Sequence, residues 1–140
     1  MAFDAEPLAH QITIPSDLRA ARDVEEQILQ AAEKHGYRKE NRFAVRLALE
    51  EAIVNAHKHG NCGDATKKIT ISYDVNANRV IIRVRDEGDG FEPYQVPDPT
   101  AAERISLPSG RGLMLMRAYV DEVTYNEQGN EVRLVKNKKT

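Results

Sequence analysis

Glu51 and Asn55 stand four residues apart in a segment of helical periodicity, which stacks an acid and an amide on one helix face about one turn apart. The pair can share a ligand. Glu50 points about 100° away from Glu51 on an α-helix and is the weaker candidate for the same work. The same stretch also fits a plain solvated face on which Arg46, Glu50 and Glu51 pair one turn apart. A second constellation, Asp86-x-Gly88-x-Gly90-Phe91, follows a run of strand-forming residues. A carboxylate at a strand's C-terminal end can accept a hydrogen bond from the exocyclic amine of a planar base, and two glycines let backbone approach the rings. The alternative is a tight acidic turn. The third, Ser109-Gly110-Arg111-Gly112-Leu113, opens a helix. Free N–H groups at a helix start, glycines that permit close contact and a nearby arginine make a seat for phosphate, although many loops simply end in Gly-x-Gly.

Two nucleotide folds are excluded at the motif level. The third constellation lacks the Gly-Lys-Ser/Thr of a P-loop, and the Asp86 box lacks a third, properly spaced glycine for the dinucleotide fingerprint. His57-x-His59-x-x-Cys62, with Asp64, could build a zinc site if the helix end unwinds enough to converge the ligands. Otherwise His59 caps or packs at that end and Cys62 is a loop thiol.

These residues need elements to hold them. His10 to Pro15 alternates polar and apolar residues and predicts an edge strand stopped by its proline. Ser16 is placed as an N-cap, with Asp17 in the first turn and Leu18, Ala21, Val24, Ile28 and Ala32 at helical spacing until Gly36. A second helix is predicted from about Lys39 to His57, marked by Phe43, Leu47, Leu49, Ala52, Ile53 and Ala56 and stopped by Gly60 as a C′ glycine. Ile69 to Val75 and Val80 to Arg85 predict a hairpin that runs into Asp86. Residues Glu92 to Ser109 carry four of the six prolines and read as a long loop, and loops of that length tend to be lids or binding segments. A short helix follows Gly112, in which Leu113, Met114, Leu115 and Met116 are expected to pack in the core. A last hairpin, Glu122 to Tyr125 with Glu131 to Val135, leaves Lys136 to Thr140, with Lys136, Lys138 and Lys139, as a frayed, solvated tail. Strands segregated against helices predict a two-layer α/β sandwich of the α+β class.

Composition narrows the partners. The 140 residues suit one domain, and 20 basic against 22 acidic residues, a formal net charge of −2, give no broad positive field for nucleic acid or an anionic membrane. The opening MAFDAEPLAH has acids where a secretion signal carries Lys or Arg, and no apolar run is long enough to span a bilayer. With a single cysteine, a reducing cytoplasm is the expected compartment.

Taken in chain order, an acid-and-amide helix, a strand-end acceptor for adenine, a long lid and a phosphate-seating glycine turn lay out a complete ATP site. Glu51-Ala52-Ile53-Val54-Asn55-Ala56-His57-Lys58-His59-Gly60 resembles the N box of the Bergerat-fold (GHKL) ATPases. Asp86 to Phe91 resembles their first glycine box, and Gly110 to Met116 their second, so that the likeness covers about Leu18 to Val135. Within that superfamily the chain is most similar to the anti-sigma serine/threonine-protein kinases of bacterial partner switching, a likeness that includes Asp121-Glu122-Val123 after the second box.

The resemblance implies a single ATP-binding kinase domain over 1–140, with a mixed, mostly antiparallel sheet covered on one face by about three helices and an ATP lid at about 92–109. It implies ATP or ADP with Mg²⁺ as cofactors. Asp86 would hold the adenine amine, Gly88 and Gly90 would line the base pocket, and the Asn55 oxygen would be a Mg²⁺ ligand. Glu51 would be the general base, Gly110, Arg111, Gly112 and Leu113 would cradle phosphates, and Arg104 in the lid is a candidate for the γ-phosphate. The acceptor would be a serine or threonine on a STAS-domain anti-anti-sigma protein and the competing partner a sigma factor; members of this group commonly form homodimers. The alternatives are a non-catalytic ATP-binding switch module and, further off, a metal-binding protein using His57, His59 and Cys62.

Overall fold

The computed structural model describes residues 3–88 and 110–139; Gly90, Phe91, Arg104 and the expected lid over 92–109 lie outside the described residues. Five strands, β1 (His10–Pro15), β2 (Lys68–Val75), β3 (Arg79–Arg85), β4 (Glu122–Tyr125) and β5 (Glu131–Asn137), form one sheet in the order β1-β2-β3-β5-β4. All four neighbouring pairs are antiparallel. Alternation along each strand puts Ile69, Ile71 and Tyr73, then Val80, Ile82 and Val84, then Val132 and Leu134 on one face, where all are buried.

Helices α1 (Ala21–Lys34), α2 (Lys39–Asn55) and α3 (Gly110–Tyr119) cover that face. Their apolar residues recur at helical spacing, so α1 buries Val24, Ile28 and Ala32 while α2 buries Val45, Ala48, Leu49, Ala52 and Ile53. Two layers around one core result, which is the α+β sandwich that the segregation of strands and helices predicts. Gly36 ends α1 as expected. Its φ of +81° allows the Tyr37 N–H to reach the Ala32 carbonyl and its own N–H to reach Glu33, a Schellman closure.

Four local expectations are corrected. Ser16 is no helix cap: α1 starts at Ala21, residues 17–20 form a turn closed by Ala20 N–H on the Asp17 carbonyl, and the Ser16 side chain is fully buried. Gly60 does not stop α2 through a left-handed conformation; the helix widens into a π-helical turn over Ala56–Gly60, and the left-handed residues are Cys62 and Gly63. Residues 136–139 do not fray, because β5 continues to Asn137, Lys138 bonds to the carbonyls of Asn78 and His35, and the Lys139 carbonyl accepts from Asn41 Nδ2. Met116 is fully buried, yet Met114, two residues earlier on α3, is 54% exposed.

Candidate nucleotide-binding site

The site is built where α2 ends beside the exit of β3. Widening the last turn places the Asn61 N–H on the Ala56 carbonyl at 2.8 Å, an i to i+5 bond, and turns the Asn61 side chain inward. Such π-turns occur disproportionately at functional positions. Asn61 is fully buried and well used: Nδ2 donates to Ser16 Oγ at 3.0 Å and to the Lys68 carbonyl at 3.1 Å, and Oδ1 accepts the Glu87 N–H at 2.8 Å. Ser16 Oγ in turn lies 2.8 Å from His57 Nδ1, and the Glu87 carboxylate accepts the Lys68 N–H. One asparagine therefore fastens the end of β1, the start of β2 and the exit of β3 to the turn that follows α2.

Asp86 is the residue this clamp presents. Its N–H is held by the Asn130 carbonyl at 2.9 Å, and its Oδ1 accepts the Gly88 N–H at 2.8 Å. Its carboxylate lies against the Cα of Gly60, where a Cβ would fall on the carboxylate oxygens; a Cβ on Gly88 would in turn strike the Gly60 carbonyl. Gly60 is thus required for a backbone-to-carboxylate contact and Gly88 for a close approach of two backbone segments. Burial pushes the Asp86 carboxyl up to about 6, against the opposing pull of the Gly88 N–H and the Lys67 charge. An ionised carboxylate has room for several donors, so Asp86 can also take the N–H of a base amine.

Asn55 lies at the C-terminal end of α2 and is 5% exposed, with Nδ2 buried and without a hydrogen-bond partner among the described residues. Its side chain shares a hydrogen bond with the Tyr125 hydroxyl of β4. Burial raises the Tyr125 hydroxyl pKa, and the nearby Asp86 charge raises it further, so this tyrosine senses both the amide and the acid. Glu51, half-buried, is one turn earlier on α2. A hard cation takes oxygen donors, which Asn55 Oδ1 and the Glu51 carboxylate one turn away can supply, while the unpaired Nδ2 is a donor suited to a phosphate oxygen. Gly110, Arg111, Gly112 and Leu113 form the first turn of α3, which packs against α2.

Other residues singled out by spacing are used elsewhere. Glu50 and Arg46 face α1, where Glu50 hydrogen-bonds Glu25 and Arg46 lies 3.4 Å from Glu25 and 3.2 Å from Glu26; the helix pairs expected within α2 give way to pairs between helices. His57, His59 and Cys62 do not converge, and no group of three or more His, Cys, Asp or Glu is placed to hold a metal among the described residues. His57 is taken by Ser16, while Cys62 is exposed with its Sγ on the His59 carbonyl. The metal-binding reading is corrected accordingly. Sequence reasoning missed Ser16, Asn61 and Tyr125; the inward turn of Asn61 had no signal in local periodicity, since its partners are distant in the chain.

Comparison with known proteins gives the family and the fold. Residues 14–136 match the model of the histidine kinase-like ATPase domain. Serine-protein kinase RsbW of Listeria innocua is 30% identical over 115 residues, which cover 75% of this chain and 71% of that relative. Serine-protein kinase RsbW of Bacillus subtilis is 31% identical over 115 residues, covering 75% and 70%. The crystal structure of the RsbU and RsbW domains of Rv1364c from Mycobacterium tuberculosis aligns with a TM-score of 0.56 at 17% identity, a likeness of fold. It takes in 94% of this chain, which spans about a third (32%) of that longer one. The chain belongs to the histidine kinase-like ATPase domain family and, within it, groups with the serine-protein kinases named RsbW.

Proposed function

We propose that this protein is an ATP-dependent serine/threonine-protein kinase and anti-sigma factor that phosphorylates a STAS-type anti-anti-sigma antagonist and sequesters a sigma factor in the cytoplasm. The observation that carries the reading is the meeting of the two boxes: the glycine that ends the Asn55 segment is the surface on which the Asp86 carboxylate rests. Asp86 would recognise the adenine amine, and Asn55 would hold Mg²⁺ through its side-chain oxygen, with its unpaired Nδ2 left to donate to a phosphate oxygen; Mg²⁺ when bound supplies charge neutralisation on the phosphates. Glu51 would accept the proton of the incoming serine or threonine hydroxyl. Gly110, Arg111, Gly112 and Leu113 would receive the phosphates through the N–H groups of the first turn of α3, with Gly88 and Gly90 beside the base. The domain is proposed as one unit over residues 1–140.

Labelled phosphate transfer onto a purified STAS partner tests the reading. Glu51→Ala is expected to lose transfer by a factor of about 10² or more while retaining ATP binding, whereas Asp86→Ala loses binding itself. Parental transfer by Glu51→Ala removes the base assignment. Nucleotide binding with no transfer by the parent chain replaces the kinase with a binding-only switch.

A further inference from the structure

The sheet has a second face, away from the helices, that the nucleotide site does not use. The registers of β3 with β2 and β5 place Arg79, Ile81, Arg83 and Arg85 on it, with Arg133 directly opposite Arg83 and Val135 directly opposite Ile81. Four arginines on one face are notable in a chain of net charge −2. Arg83 and Arg133 are only 7% and 8% exposed. Like charges facing each other across paired strands repel, and burial makes each one costlier to leave without a partner.

Their partners are incomplete. Glu131 lies 3.7 Å from Arg83 Nε, Glu122 lies 3.7 Å from Arg133 Nη1, and Asp4 lies 3.7 Å from Arg133 Nη2, all beyond hydrogen-bond range. Arg83 Nη1 donates to the Asp4 carbonyl at 3.2 Å, but Arg83 Nε is buried with no hydrogen-bond partner among the described residues. Beside the arginines, Ile81 and Val135 are 7% and 0% exposed, although they stand outside the core beneath the helices.

The chain's own N-terminal arm reaches this strip. It reads Phe3-Asp4-Ala5-Glu6-Pro7-Leu8, without helix or strand, with Phe3 and Leu8 half-buried and the four residues between them exposed. Asp4 makes its contacts to both arginines, and no backbone hydrogen bond joins residues 3–9 to another element among the described residues. The occupant is thus a short acidic peptide flanked by apolar side chains and anchored through one residue. Its chemistry describes what the surface accepts.

We propose that the strip built on Arg83 and Arg133 is a docking surface for an extended acidic segment of a protein partner, with residues 3–8 as its resident occupant. Such a segment offers carboxylates that can close on the arginines at hydrogen-bond distance, Arg83 Nε included, and apolar side chains for the ground beside Ile81 and Val135. Displacing the arm breaks few contacts. An arm docked about nine-tenths of the time lowers a competitor's apparent affinity about tenfold.

The test uses the full chain, its Asp4→Ala variant and a capped peptide Phe-Asp-Ala-Glu-Pro-Leu, followed by amide chemical shifts. The peptide is expected to bind Asp4→Ala about tenfold more tightly than the parent, shifting amides of Ile81–Arg85 and Glu131–Val135, and a peptide carrying Asn for Asp is expected to lose most of that affinity. Equal binding to parent and variant overturns the resident-occupant claim. Absence of binding to both, equal binding of the Asn peptide, or complete displacement by equimolar inorganic phosphate overturns the docking surface. Asp4 is on an exposed arm, so the variant does not put folding at risk.

Discussion

At Asp86, burial and one hydrogen bond set the charge of a carboxylate proposed to recognise the base. Burial beside Gly60 raises its pKa to about 6, and the Gly88 N–H restrains that rise. Only the ionised form can accept from a base amine through either oxygen. Nucleotide affinity is therefore expected to be level above about pH 7 and to fall as pH drops through 6, approaching about tenfold per unit below it. Calorimetric titration of ADP from pH 5 to 8 checks this, and Asp86→Asn, which cannot ionise, is expected to bind more weakly with a flat profile. A parental profile that is flat down to pH 5 removes Asp86 from base recognition. The sequence places Asp86 correctly at a strand end, because strand alternation runs straight into it. It misreads Gly60, because a glycine at a helix end has an obvious local explanation, whereas its actual neighbour is twenty-six residues away by sequence number. Ser16 is misread for the same reason: Ser-Asp before a helical pattern imitates a cap, while the partners of its hydroxyl are His57 and Asn61.

Elements are held together by a few buried polar side chains as well as by the apolar core. Asn61 ties the turn after α2 to Ser16, Lys68 and Glu87, and Asn61→Ala would orphan the Lys68 carbonyl and the Glu87 N–H and leave Ser16 Oγ with His57 alone. Unpaired buried groups cost about 1–3 kcal/mol each, so a loss on the order of 3 kcal/mol in chemical unfolding is expected, with weaker nucleotide binding as Asp86 shifts. A variant within 0.5 kcal/mol of the parent, about the scatter of neutral surface changes, would remove the clamp from the account. The α1–α2 contact carries a pH-sensitive pair. Burial, then the hydrogen bond and charge of Glu50, raise Glu25 to about 7 despite Arg46. The folded state then holds a proton that the unfolded chain, with an ordinary value of 4.5, has released, so this pair makes stability fall as pH rises from about 4.5 to about 7. Glu25→Gln keeps a partner for Glu50 without ionising, and its melting temperature is expected to gain on the parent at pH 8 relative to pH 5. An identical gap at both pH values contradicts the shared proton. Strand boundaries and the hairpins were readable from alternation. The pairing of Arg46 and Glu50 with α1 was not, because i to i+4 spacing offers an equally good partner on α2.

At the scale of the whole molecule, α2 serves two structures at once. One face supplies Val45, Ala48, Leu49, Ala52 and Ile53 to the core, and its C-terminal end supplies Glu51 and Asn55 to the candidate site. Stability and ligand binding are therefore linked through a single element. Leu49 is completely buried, and truncation to Ala is expected to cost about 2–5 kcal/mol through lost transfer energy and the cavity left behind. For a chain of this size that lowers the melting temperature on the order of 10 °C. Both layers share the core, so loss is expected in one cooperative transition followed identically by sheet and helix signals. Magnesium with ADP at about a hundred times its dissociation constant binds only the folded form and restores about 2.7 kcal/mol, so it is expected to recover much of the lost melting temperature. Thermal unfolding of parent and Leu49→Ala, each with and without Mg·ADP, measures both terms. Absence of nucleotide-dependent recovery in both proteins would mean that Mg·ADP does not bind the folded chain, and recovery in the parent alone would mean that truncating Leu49 destroys the site.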